Sequence, residues 1–169
     1  MAPSSILLIF DRHVCLNSPT GAAPVRFQIN GQDLLGVALD VPAPMLPVSL
    51  VAFACYGMLA LRVAQQCGRA ALQLDDWGGD LLFAIEDQDV IIHVTGWNRK
   101  AQTRFADLVQ VWDSFGRDVQ NYILMHFPGL RDAEWWQMLE REPTGQECQS
   151  MSAAWWFEQD AAAADESPA

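Results

Sequence analysis

The residues able to do acid–base or metal chemistry in this chain are few and scattered. Its three histidines, His13, His93 and His126, lie on separate stretches and give no HxH or HxxxH spacing for a metal site. His93 is the most suggestive, because a strand bearing it next to acidic turns could bring it to Asp75 or Glu86 as an acid–base couple. The plainer reading makes His93 a residue on the solvent face of that strand. The four cysteines, Cys15, Cys55, Cys67 and Cys148, include no CxxC pair. Cys55 sits in an apolar run and reads as a small buried hydrophobe. Reduced thiols in a cytosolic protein account for the four most simply, and a disulfide among them stays compatible with the sequence. Cys15 and His13 are only an i, i+2 pair, and no serine-centred nucleophile elbow occurs, so no nucleophilic triad is expected. The stretch Asp76-Trp77-Gly78-Gly79-Asp80 is glycine-rich, but it lacks the lysine of a phosphate loop and lies between strands. No metal and no cofactor is implied.

Carboxylates are the abundant reactive group. Asp75, Asp76, Glu86, Asp87 and Asp89, with Asp80 beside them, are expected around one end of a β-meander, where they would suit a basic partner better than a cation. Their spacing matches no EF-hand loop. Asp at a turn also bonds its own backbone and needs no ligand. Trp77, at a turn tip among them, is placed either to anchor an interface or to fold over the sheet edge.

The charge of the whole chain points the same way. In 169 residues there are 21 acidic and 10 basic side chains, a formal net charge of −11. Such a surface repels nucleic acid and anionic membranes and favours a basic protein partner. The charge would also serve solubility alone. Half of the residues are hydrophobic (51%), enough for one sizeable core. Residues 41–61 carry no charge, yet Pro42, Pro44 and Pro47 leave a helix of only about 20 Å, short of a bilayer core of about 30 Å. That helix is therefore expected in the core, with no membrane span. No signal-peptide pattern precedes it, and a cytoplasmic location is expected.

The elements that must position these groups can be read from periodicity. Residues 5–17 give a strand and a turn. Val25, Phe27 and Ile29 alternate with polar residues, Asn30-Gly31 is a favoured two-residue hairpin turn, and Leu34, Leu35, Val37 and Leu39 supply the return strand. A helix follows over 48–66, stopped at Gly68. A three-stranded meander covers 71–75, 81–86 and 90–95. Phe105, Leu108, Trp112, Phe115, Val119, Tyr122 and Ile123 then form the apolar stripe of a helix over 103–126. Asp132 is the expected N-cap of a short helix to Arg141. The fold class is α+β: a mostly antiparallel sheet, made of an N-terminal hairpin plus the meander, packed by two main helices and a short C-terminal helix. Residues 1–142 form one domain. Residues 143–169 form an acidic, tryptophan-containing extension, partly ordered, whose Trp155, Trp156 and Phe157 must pack back or meet a partner.

The run LDDWGGDLLFAIEDQDVIIHV, then RFADLVQVWDSFGRDVQNYI, then a tryptophan-bearing short helix, resembles a pattern found in small acidic bacterial immunity proteins. The resemblance spans under half of the chain, rests on architecture, and carries over no binding residue. It implies a non-enzymatic protein that neutralises a cognate, basic toxin domain by occluding its active site, here through Asp75, Asp76, Trp77, Asp80, Glu86, Asp87 and Asp89. The alternatives are an adaptor or chaperone for a secreted effector, which predicts an exposed apolar groove, and a small enzyme built on His93.

Overall fold

A computed structural model describes residues 5–13, 16–35, 46–74, 79–96 and 98–158. The chain is α+β, with two separate four-stranded antiparallel sheets instead of one. In the first, β1 (Ile6–Phe10) pairs with β2 (Ala22–Ile29), whose other side takes β3 (Gln32–Asp33) at one end and β4 (Leu46–Ser49) at the other. Asn30 and Gly31, at φ 52° and 82°, make the expected tight turn. The return strand stops after Asp33: Leu34 donates its N–H to Phe27 O at 2.8 Å, and Leu34 and Leu35 turn into the core. Val37 and Leu39 lie outside the described residues.

Strand β4 was not anticipated, and it shortens the first helix, α1, to Leu50–Cys67. Ser49 caps it, its Oγ accepting from Ala52 N at 3.4 Å. Gly68, at φ 84°, ends it in the left-handed conformation that glycine adopts without a Cβ penalty. Two thirds of α1 (67%) is buried within the protein, although its length and composition alone would suit a membrane span.

The second sheet runs β5 (Arg69–Leu74), β6 (Gly79–Glu86), β7 (Asp89–Val94) and β8 (Arg99–Arg104) in order. The meander thus has a fourth strand. Thr103 and Arg104 belong to it, so the second helix, α2, starts at Phe105 and ends at His126. Beyond α2 the expected helix to Arg141 is two 3-10 turns, Pro128–Leu130 and Glu134–Leu139. Ala133, not Asp132, holds the cap position of the second. Helix α3 (Gly145–Met151) follows, opened by a reciprocal capping box between Thr144 and Glu147, and residues 154–158 form a last helical turn.

The layers meet at Trp112. Its ring contacts Phe27 of the first sheet (centroids 5.6 Å), Phe53 of α1 (5.0 Å), Phe83 of the second sheet (6.1 Å) and Phe115 of its own helix (6.4 Å). The indole N–H donates to Ala54 O at 3.2 Å, so its one polar atom is satisfied inside the core. The ring fits because position 57 is glycine: a Cβ there would lie 2.2 Å from the indole. We expect Gly57→Ala to lower stability by about 1–3 kcal/mol through overpacking. The cost should largely vanish in a Trp112→Leu background, measured by denaturant unfolding. Equal costs in both backgrounds would contradict this account of the contact.

Candidate binding groove

Helix α1 leads directly from β4, an edge of the first sheet, into β5, an edge of the second. It therefore underlies a seam between two sheet edges. Along that seam runs an apolar groove of about 670 Å³. Its floor is Ala52, Phe53, Tyr56 and Leu59 of α1, with Ala22, Val48 and Ser49 on one side and Ala71 to Leu74 of β5 on the other. Its third wall is α3 with the helical turn after it, through Glu147, Ser150, Met151, Trp155 and Trp156.

The β5 wall has directional hydrogen-bonding capacity. Ile85 N donates to Gly68 O at 2.8 Å, which sets the phase of the β5–β6 ladder. By antiparallel alternation Ala70, Leu72 and Leu74 bond to β6, while Ala71 and Gln73 turn their N–H and C=O toward the groove. No described strand pairs with that edge. Two aromatics offer apolar surface beside it: Tyr56 is 47% exposed in the midst of the buried stretch of α1, and Trp155 is 49% exposed. Trp155 stacks on Trp156 at 3.9 Å, and Trp156 donates its indole N–H to Ser150 O at 3.0 Å. The aromatic segment thus packs back on the domain through Trp156 and keeps one indole toward solvent.

Arginines hold the α3 wall in place. Arg62 of α1 donates to the carbonyls of Met138 (3.0 Å), Leu139 (2.6 Å) and Arg141 (3.0 Å), closing the end of the second 3-10 turn. Arg69 donates Nε–H to Ser152 O at 3.1 Å, and its guanidinium lies 4.7 Å from the Phe157 ring centre. Arg141 makes a bidentate pair with Glu147, two bonds of 2.7 Å. That pair, with the Thr144 backbone N–H as a third donor, holds the Glu147 carboxyl at about 2 against an ordinary 4.5.

The residues expected to form an acidic site are distributed differently. Asp75, Asp76 and Trp77 lie outside the described residues. Asp80 starts β6, half-buried, its N–H donating to Thr95 Oγ1 at 2.8 Å. Glu86, Asp87 and Asp89 stand at the other end of β6, about 20 Å away at 3.3 Å per residue. Among the described carboxylates, Asp80 and the turn at Glu86 to Asp89 thus stand at opposite ends of β6. The second turn is also partly neutralised, since Asp89 accepts from Gln102 (2.8 Å), stands opposite Arg104, and Arg104 donates to Gln88 (3.3 Å). His93 is neither solvent-facing nor beside Glu86. It is 7% exposed and stands in a cross-strand row with Leu82 and Lys100, while Glu86 pairs with Asp89. Cys55 is buried, and burial pushes its thiol up to about 12, as suits a packing residue. Sequence reasoning missed Tyr56, Ala71 and Gln73. The available signal was a lone tyrosine in an otherwise apolar helix followed by a strand with a polar residue at Gln73.

No protein-family model, curated protein or solved structure matches this chain.

The depressed Glu147 pKa has a definite pH consequence. A carboxyl lowered on folding stabilises the docked segment fully above its ordinary value, and this contribution is lost as pH falls from 4.5 through about 2. Amide exchange across residues 145–158 should therefore accelerate over that interval in the native protein more than in Glu147→Gln. Identical acid dependence in the two proteins would contradict the assignment.

Proposed function

We propose that this chain is a non-catalytic binding protein that takes an extended, apolar segment of a protein partner into the groove, as an adaptor or chaperone for an effector would. The observation supporting this most strongly is the coincidence, in one open groove, of the exposed rings of Tyr56 and Trp155 with a β5 edge that no described strand pairs with. A strand laid there gains main-chain hydrogen bonds from Ala71 and Gln73, while its alternate side chains meet Phe53, Tyr56 and Met151. Most specificity would come from those side-chain contacts, the edge itself being indifferent to sequence. A partner helix satisfies its own backbone groups and uses the β5 edge less well.

The charge favours basic residues flanking the bound segment. Seven of the ten cationic side chains are occupied within the fold: Arg12 with Asp118, Arg26 with Asp33, Arg117 with Asp113 and Glu140, Arg104 with Gln88, and Arg62, Arg69 and Arg141 as described. The net charge of −11 raises the encounter rate with a basic partner. The same observation supports a second reading, an immunity-type protein that blocks a basic toxin domain through Asp75, Asp76, Trp77, Asp80, Glu86, Asp87 and Asp89.

A peptide-display selection followed by titration of the selected peptides separates the two. On the groove reading, the peptides are apolar. N-methylation at alternate positions of one register weakens binding at least about 10-fold, the other register is tolerated, and Tyr56→Ala weakens binding by a similar factor. On the immunity reading, binders are basic, Tyr56→Ala is neutral, and Asp75→Lys with Asp76→Lys slows association and flattens its salt dependence. Equal tolerance of N-methylation in both registers, with no effect of Tyr56→Ala, would overturn the groove reading.

A further inference from the structure

Two cysteines meet where the third wall of the groove joins the rest of the molecule. Cys67 is the last residue of α1 and is exposed; Cys148 lies in the middle of α3 and is partly buried. Cys148 Sγ donates at 3.5 Å to Oε1 of Gln66, the residue next to Cys67, and the neighbouring Cys67 thiol is one of the groups that raise the Cys148 pKa. The two positions are 81 residues apart in the chain and are brought together only by the docking of α3 on α1. Three fastenings surround the pair: Arg141 with Glu147, Gln66 with Glu142 (2.9 Å), and Arg69 with Ser152 O. Together they hold α3 on the end of α1, with Cys67 and Cys148 on the two segments that meet there.

We propose that Cys67 and Cys148 form a dithiol modification site, which a low-molecular-weight disulfide oxidises to an intramolecular bond tying α3 to the end of α1. Cys67, the exposed thiol, is the one the reagent reaches. Its thiolate attacks one sulfur of the reagent disulfide, forming a mixed disulfide and expelling the first reagent thiolate. Cys148 then loses its proton to solvent and attacks the Cys67 sulfur, expelling the second reagent thiolate. Two protein thiols are oxidised to one disulfide, and one reagent disulfide is reduced to two thiols. The order follows from the surroundings of Cys148. Partial burial, the hydrogen bond with Cys67 and the adjacent Glu147 carboxylate all raise its pKa, so it waits as a thiol while Cys67 reacts first. Cys55, buried in α1, takes no part.

The bond acts on the groove wall. Glu147, Ser150 and Met151 line the groove from α3, so a covalent link at Cys148 fixes that wall to the helix forming the floor. In the dithiol form non-covalent contacts keep it there: the arginine-centred bonds, the hydrogen bonds of Gln66 with Glu142 and Cys148, and side-chain packing. This site does not depend on what occupies the groove, and its chemistry can be tested with no partner present.

The test uses the full chain with Cys15→Ser, exposed to oxidised glutathione, quenched by alkylation and mapped by mass spectrometry. The expected product is a Cys67 peptide joined to a Cys148 peptide with two hydrogens lost and Cys55 unmodified. Cys148→Ser should stop at glutathione on Cys67, and Cys67→Ser should react at Cys148 at least about 10-fold more slowly. The denaturation midpoint should rise on oxidation, return on reduction, and stay unchanged in Cys67→Ser. Separate glutathione adducts on Cys67 and Cys148 with no joined peptide, or faster reaction at Cys148 than at Cys67, would overturn the proposal.

Discussion

The arrangement of this protein depends on how closely α1 can approach α2. An indole is among the bulkiest groups a core can hold, and Trp112 reaches the backbone of α1 only because Gly57 leaves a notch one turn from Ala54, whose carbonyl takes the indole proton. From that seat the ring touches both sheets as well as α1. Among the described residues no strand pairing joins the sheets; they share a core through Trp112, Phe53 and their neighbours. Two sheets joined by a helix, and not by strand pairing, necessarily leave an edge of each beside that helix. The groove is the consequence of that geometry.

What keeps the groove from being a bare exposed flank is the polar fastening of the C-terminal segment. Residues 134–158 contribute few fully buried apolar side chains, Trp136 and Leu139 being the main ones. Leu139 packs against Gly116, where a Cβ would come within 2.8 Å of it. The rest of the segment is held by charge-assisted hydrogen bonds from Arg62, Arg69 and Arg141. Such contacts are directional but offset little conformational entropy, which suits a wall that holds its place while remaining able to yield.

Much of the α+β class was legible in the sequence, because apolar periodicity reports burial. The alternation at Val25, Phe27 and Ile29, the Asn30-Gly31 turn and the stripe through Trp112 and Phe115 each correspond to an element found in place. What periodicity could not report were two short strands at the sheet edges. β8, with the sequence RKAQTR, buries only Thr103, and β4 contains Pro47; both lie at sheet edges, where backbone pairing, not side-chain pattern, makes the strand. The spacing of the acidic residues along the chain did not reveal that Asp80 and the turn at Glu86 to Asp89 lie at opposite ends of β6. The groove was illegible because α1, β5 and α3 come together only in the tertiary fold. Besides Tyr56 and Gln73, the local hint was the unexplained aromatic segment, which the structure divides between Trp156, bonded to Ser150 O, and Trp155, left outward.

The open β5 edge is the claim on which the binding account stands, and residue-resolved amide exchange by NMR tests it without any ligand. The account predicts slow exchange for the N–H groups of Ala70 and Leu72, which bond to β6, and fast exchange for those of Ala71 and Gln73, which face the groove. Protection of Ala71 and Gln73 as strong as that of Ala70 and Leu72 would mean the edge is already covered, and would contradict it.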